Sequence, residues 1–178
     1  MDNRVLALIA SFIAMSFVTV SYFTRKKEHY LLFQLLCLLF LITSYFFTVQ
    51  FFAMVGLVIA ACRTVTFFIY ERKGRKAPIL WSFLFSGLSV VAYLVVNLAI
   101  LKTAQPLDLL FLVGLVAYAF IFRIRNLKTV RFLMLFPSLL SVLFNAFTNA
   151  AFFTTLSYVF EFSSNLLSIF KYHVLKKK

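Results

Sequence analysis

Acidic residues, glycine, proline and cysteine are scarce in this sequence. Its 178 residues include five Asp and Glu, four Gly, three Pro and two Cys. Catalytic carboxylate pairs, glycine-rich phosphate loops and metal clusters all draw on these residue types. None of those patterns is found, and Cys37 and Cys62 lie in apolar runs as packing residues do. The sequence therefore predicts a protein that is not an enzyme and holds neither cofactor nor metal.

Long apolar runs dominate what is present. Hydrophobic residues make up 63% of the chain, with 25 Phe, whereas a soluble domain is typically about 45–50% apolar. A helix needs about 20 apolar residues to cross a bilayer. The first run, from Val5 to Phe23, is that long and shows no small-residue cleavage site, so we expect a membrane helix there and not a removable leader. We predict an all-α bundle of seven transmembrane helices at about 4–23, 30–49, 51–70, 79–101, 107–123, 131–149 and 151–171.

The 18 Lys and Arg residues lie in short clusters between these runs. Such an excess can indicate nucleic-acid binding, but clusters at the ends of membrane helices are topology signals. In the seven-helix plan fifteen fall on one side, Arg4 and Lys102 on the other, and Arg63 within a helix. The positive-inside rule then places the N-terminus outside and the C-terminus in the cytoplasm, with no nucleic-acid partner. The fifteen are Arg25, Lys26, Lys27, Arg72, Lys73, Arg75, Lys76, Arg123, Arg125, Lys128, Arg131, Lys171, Lys176, Lys177 and Lys178.

The two halves of the chain correspond when one is shifted by 101 residues. This shift aligns the third helix with the seventh, and in both a stripe of mostly small or polar residues recurs at helical spacing. In lipid such faces turn toward other helices or a cavity. We predict one transmembrane domain, 1–178, in a 3+1+3 plan of parallel repeats at about 4–76 and 107–178, with a linker helix at about 79–101. The paired positions are Ala53, Gly56, Ala60, Arg63, Thr64 and Phe67 with Thr154, Ser157, Glu161, Ser164, Asn165 and Ser168.

This plan resembles the SWEET and PQ-loop transporter superfamily, and the chain is more closely similar to YgjV-type bacterial inner membrane proteins. The similar region is mainly 131–171, with Arg63 as a further match. The Pro-Gln pair that names the PQ-loop proteins is absent, since Pro137 is followed by Ser138. The resemblance implies a small-solute transporter-like fold in a bacterial inner membrane and names no substrate. Its motif residues are Pro137, Asn145, Glu161, Ser164, Asn165 and Ser168.

Glu161 and Arg63 are the candidate binding or coupling residues. A carboxylate in mid-membrane costs about 2.5 kcal/mol or more unless it is paired, hydrated or protonated, so Glu161 binds a substrate amine, couples protons, or packs against a neighbouring helix. Arg63 either snorkels to the headgroups, pairs with Glu161, or binds an anionic group of the solute.

Further polar residues extend the candidate site. We expect Ser157, Ser164, Asn165 and Asn145 to line a solute path or to bond neighbouring helices. On the second helix, Gln34, Cys37, Ser44 and Thr48 are expected to face the same cavity. Pro137 frees a backbone carbonyl and forms either a hinge or a static kink. Tyr30 and Asn97 are placed near the membrane interfaces.

The leading hypothesis is a small-solute transporter that works by alternating access between two three-helix repeats, with or without proton coupling. The alternative is a non-transporting membrane receptor or regulatory protein whose basic cytoplasmic face docks a partner. Expected partners are a small-molecule solute and membrane lipid, and so small a bundle acts alone or as a homodimer.

Overall fold

The computed structural model describes residues 2–100, 106–148 and 152–170. Lys102, the tail from Lys171 and the side chain of Ser168 lie outside this description. Seven α-helices and no strand are found along the described residues. They are α1 (Asn3–Phe23), α2 (Lys27–Phe47), α3 (Phe51–Arg72), α4 (Ile79–Tyr93, continued as π-helix over Leu94–Ile100), α5 (Pro106–Ile121), α6 (Leu127–Phe147) and α7 (Phe152–Ile169).

The helices match the predicted spans closely. Five segments are long and apolar enough to cross a membrane: α1, α2, α3, α6, and α4 with its π-helical end. At about 1.5 Å per residue, their 21 or 22 residues extend about 32 Å, the thickness of a hydrocarbon core. α5 is apolar but shorter, with 16 residues. α7 carries Glu161, Asn165 and several hydroxyl side chains, and these polar residues lower its hydropathy. It is not among the five apolar spans.

Local sequence signals explain where several helices begin and end. Asp2 caps α1 by accepting a hydrogen bond from the Arg4 amide, and Asn126 caps α6 in the same way. After α3 the chain reverses at Gly74, whose φ of 66° lies in the left-handed region that glycine tolerates. Pro106 occupies the first position of α5, where its missing amide proton removes no helical bond.

The helices follow one another around a ring. Each packs on the next in sequence, and α1 closes the ring against α7. A contact between α3 and α5 crosses the ring beside α4, which therefore lies outside the main packing. Gly56 permits this crossing, because a Cβ there would stand 2.7 Å from Leu115 Cδ1 and 3.1 Å from Phe111 Cε1. The bundle thus brings α1, α2 and α3 against α5, α6 and α7.

Polar groups lie inside the bundle and apolar groups outside. The stripe on α3 and the described members of its counterpart on α7 are buried, as the sequence predicts. Large apolar side chains instead cover the outer surface, among them Leu80 at 73% and Phe152 at 68% exposure. Burial of acids and amides beneath exposed leucine and phenylalanine is the reverse of a soluble fold. It fits a surrounding solvent of lipid tails.

The bundle has two ends, a basic end and an opposite end. The basic end holds the connections after α1, α3 and α5, and its described residues include the clusters at 25–27, 72–76 and 123–131. The opposite end holds the connections after α2 and α6, and of the described basic residues only Arg4 lies there.

Candidate functional site

A cavity lies inside the ring, between the α1–α3 and α5–α7 halves. Five helices line it: α2, α3, α5, α6 and α7. The cavity is small: its space for water is about 30 Å³, which is room for about two water molecules. Most of its wall is apolar. Gln34 and Cys37 of α2 line it as predicted, whereas Ser44 and Thr48 do not. The polar and ionisable lining residues are Gln34, Cys37, Arg63, Tyr118, Ser141, Tyr158 and Glu161.

Glu161 is held in this cavity by two phenols. The hydroxyl of Tyr22 on α1 donates to Glu161 Oε1 at 2.9 Å, and that of Tyr118 on α5 donates to the same oxygen at 3.2 Å. Glu161 is 5% exposed and both tyrosines are buried. Hydrogen bonds from neutral donors stabilise a buried carboxylate without neutralising its charge. Glu161 therefore lies on α7 but is positioned from both halves of the bundle.

The hydrogen bonds continue from Glu161 toward the basic end. Gln34 Nε2 donates to Ser21 Oγ at 3.2 Å and to the Tyr22 hydroxyl at 3.4 Å. The Tyr30 hydroxyl donates to that of Tyr22 at 3.4 Å. Tyr30 is fully buried, so its predicted place at the membrane interface is wrong. Its side chain instead extends inward to join the phenols around the carboxyl.

Sequence reasoning missed the roles of Tyr22 and Tyr118. A usable signal was present, because a tyrosine within an apolar helix needs a hydrogen-bond partner for its hydroxyl when it is buried. Glu161 is the acceptor that both hydroxyls find.

Arg63 neither snorkels nor pairs with Glu161. Its side chain is 3% exposed, and its NH1 donates to the Leu115 carbonyl at 2.8 Å. The guanidinium also lies over the rings of Tyr118 and Phe122, at 5.6 and 5.1 Å from their centroids. Its Nε has no hydrogen-bond partner among the described residues. Arg63 is thus an inward-facing cation held mainly by neutral groups.

Asn145 lies nearer the opposite end of the bundle and links α6 to α2 there. Its Oδ1 accepts from the Tyr45 hydroxyl at 2.5 Å, and its Nδ2 donates to the Ser141 carbonyl at 2.7 Å. Ser44 and Thr154 form a second link between the halves, at 2.9 Å. Asn145 also lines an open cleft between α6 and α7.

Two contacts tie the helices together at the basic end. Arg131 on α6 is 4% exposed, and its NH2 donates to the carbonyls of Tyr22 at 2.8 Å and Thr24 at 2.6 Å. It thereby satisfies carbonyls that α1 leaves unpaired at its end. Lys27 and Glu71 form a salt bridge of 2.9 Å between α2 and α3.

The other predicted residues are buried but do not line the central cavity. Ser157 donates to the carbonyl of Phe153 at 2.7 Å and to that of Ser11 on α1 at 3.2 Å, so it packs α7 against α1. Ser164 is 5% exposed and Asn165 fully buried. Neither amide atom of Asn165 has a partner among the described residues.

Pro137 and Asn97 are buried as well. α6 continues through Pro137 without a break, and Gly114 of α5 packs close to the Pro137 carbonyl. Asn97 is 2% exposed and donates to Asp108 Oδ2 at 2.8 Å. Asn97 therefore lies near the end of its helix, as predicted, but its amide faces α5 and not the lipid headgroups.

Comparison with known proteins identifies a family. The family model Imp-YgjV, described as bacterial inner membrane protein, matches residues 5–176. The match covers nearly the whole chain and confirms the resemblance to YgjV-type proteins. No curated protein matches the chain, and no solved structure matches it.

Proposed function

We propose that this chain, which belongs to the Imp-YgjV family of bacterial inner membrane proteins, moves a small solute across that membrane by alternating access. The observation that carries the proposal is the central cavity, where the buried Glu161 and Arg63 face a common space. Buried charges in a membrane are costly and mark solute or ion pathways. Here they lie between the two halves of the bundle, where parallel repeats place solute sites.

The neighbour order supports a 3+1+3 arrangement. Suppose that α1 is exchanged with α5, α2 with α6 and α3 with α7. Each helix contact within one unit then becomes a helix contact within the other unit. The exchange also converts the α1–α7 contact into the α3–α5 contact, and all of these contacts are present. A two-fold axis along the membrane normal would produce this set, with α4 as the linker. On this plan we also propose the relation to the SWEET and PQ-loop superfamily.

Both ends of the cavity have contacts that could open in turn. At the opposite end, Tyr45 with Asn145 and Ser44 with Thr154 connect the units. At the basic end, Arg131 on one unit holds the end of α1 on the other. Rocking of the units would break one set and keep the other. The charge distribution favours the basic end as the cytoplasmic one, with the N-terminus outside. Proton coupling through Glu161 is part of the proposal.

Glu161→Gln tests the proposal, with Asp108→Asn as the matched control outside the cavity. The purified wild type is screened for metabolites that raise its melting temperature, and every hit is then measured for uptake into sealed vesicles. We expect uptake by the wild type and by Asp108→Asn, and loss of uptake or of its pH dependence in Glu161→Gln. Equal insertion of all three proteins, measured by protease protection, controls for misfolding.

Wild-type uptake with unchanged pH dependence in Glu161→Gln would remove Glu161 from the mechanism. Solutes that bind the wild type without crossing the vesicle membrane would refute transport. That second result would favour the alternative, a receptor whose basic cytoplasmic face docks a partner.

A further inference from the structure

We propose that the transported solute is a small zwitterion with an apolar body, such as an apolar α-amino acid. Its carboxylate binds Arg63, its ammonium binds Glu161, and its body packs on the apolar wall between them. This inference rests on the proposed function, since it names the substrate class of the same site.

Opposite charges lie in one cavity without neutralising each other. Arg63 and Glu161 both line it, yet the salt bridge found among the described residues is Lys27–Glu71, at the basic end. Tyr118 lies between them: its hydroxyl bonds Glu161 and its ring lies under the guanidinium of Arg63. A buried pair is stable only when the charges meet with good geometry. Held apart in this way, each charge keeps capacity for a further partner.

Arg63 retains the donors that recognise a carboxylate. A guanidinium carries five N–H donors in a planar fork. The described hydrogen bond from Arg63 is the one from NH1 to the Leu115 carbonyl, and Nε has no partner among the described residues. The remaining contacts are with aromatic rings. Such a fork binds a carboxylate through two parallel hydrogen bonds.

Glu161 retains an acceptor oxygen for an ammonium group. Both phenols donate to Oε1, and the Ser138 hydroxyl, which has no closer hydrogen-bond partner among the described residues, lies beside the same carboxyl. Oε2 therefore has at most one weak neutral donor. An ammonium group has three donors and no acceptor, so it complements this oxygen together with polar groups around it. A neutral sugar would leave both charges without a partner in an apolar environment, which is costly.

The rest of the lining selects an apolar body. Seven of the remaining residues have apolar side chains: Leu38, Leu41, Leu57, Ala60, Phe111, Leu115 and Phe122. With room for about two waters, the cavity admits such a solute only when the two units move apart. Expansion of the site on loading is therefore required, and alternating access supplies it.

The test compares each zwitterion with two analogues that lack one charge. Valine, leucine and phenylalanine are the probes. Their amines are isobutylamine, isopentylamine and phenethylamine, and their acids are 3-methylbutanoate, 4-methylpentanoate and 3-phenylpropanoate. Binding is measured by calorimetry on the wild-type protein in lipid nanodiscs, and uptake in vesicles. We expect at least one amino acid to bind. Both of its analogues should bind at least about 30-fold more weakly, because each leaves a buried charge unpaired.

The variants assign the two ends of the solute. Arg63→Gln should remove the advantage of the amino acid over its amine and keep its advantage over the acid, and Glu161→Gln should do the reverse. Lys27→Gln, outside the cavity, should change neither ratio. The wild-type series stands alone should either variant fail to fold.

Three results separate this inference from the proposed function. Uptake of an amine or acid alone, or equal binding of all three forms, overturns the zwitterion and leaves transport intact. An amino acid that binds with the expected selectivity and is not taken up overturns transport. No binding by any of the three amino acids overturns the zwitterion.

Discussion

The hydrogen bond from Tyr22 to Glu161 joins the two halves of the bundle, so its strength is a direct test of the site. Tyr22→Phe deletes the donor hydroxyl and keeps the ring. Glu161→Met removes both carboxyl oxygens at nearly the same side-chain length. A double-mutant cycle of these two changes isolates the pair energy from the packing that each residue also contributes. The same cycle with Tyr118→Phe measures the second phenol.

The structure sets the expected magnitudes. Hydrogen bonds to charged groups contribute about 1.5–3 kcal/mol in water-soluble proteins, whereas interhelical ones in membranes average about 0.6 and reach about 1.7 kcal/mol. The Tyr22 bond is short, at 2.9 Å, and its partner is 5% exposed. We therefore expect a coupling of about 1–2 kcal/mol for Tyr22. For Tyr118, at 3.2 Å, we expect about 0.5–1 kcal/mol.

Unfolding free energies are measured by titration of micelle-solubilised protein with sodium dodecyl sulfate, followed by circular dichroism. Tyr22→Phe combined with Asp108→Asn is the control cycle, since Asp108 lies at the opposite end of the bundle beside Asn97. Distant sites add within about 0.3–0.5 kcal/mol. A Tyr22–Glu161 coupling no larger than that of the control would refute the arrangement, because the halves would then not meet at this carboxyl.

The same titration tests two further contacts. Arg131→Met should lower the unfolding free energy by about 2–4 kcal/mol, because it removes two charge-assisted hydrogen bonds to the end of α1. The control is Lys128→Met, at an exposed position of the same helix, which should change it by less than about 0.5 kcal/mol. Equal losses in the two variants would refute the role of Arg131. Gly56→Val should cost about 1–3 kcal/mol through overpacking against Leu115. Gly87→Val, whose Cβ meets nothing within 4 Å, should cost less, and a smaller loss at position 56 would contradict the close α3–α5 contact.

The helices were predictable because lipid imposes a length and a polarity on each crossing. The predicted spans differ from the observed helices by at most four residues, at the start of α6. That error has a physical reason: Lys128 is interpreted as a topology signal in a loop, so the predicted helix begins only at Arg131. Asn126 instead caps the helix ahead of them, and Arg131 is then carried inward to α1. A basic residue in the sequence indicates that a span ends nearby. It does not show whether that residue lies in the loop or within the first turns of the helix.

The candidate site was predictable in its charges and not in its hydrogen bonds. Glu161 and Arg63 stand out because ionisable groups are rare in apolar runs. Which groups they meet depends on the rotation and depth of neighbouring helices, and a single sequence contains no such information. The repeat placed the two residues at similar depth, so a direct pair was a reasonable hypothesis. The direct pair does not form because Tyr118 lies between the two residues. Tyr118 belongs to α5, and the repeat aligns α3 with α7 but aligns neither of them with α5.

Separation of these charges has a consequence for how such a bundle can work. An Arg63–Glu161 pair would satisfy both groups from within the protein and would stabilise one closed arrangement of the two units. With the guanidinium bound to a backbone carbonyl and the carboxyl bound to phenols, neither group has a partner of opposite charge among these contacts, and a further partner can lower the energy of both. A binding partner shifts a conformational equilibrium only by its difference in affinity between the states. In the proposed mechanism, leaving the charges unpaired in the closed state would make that difference large for a solute that reaches both of them.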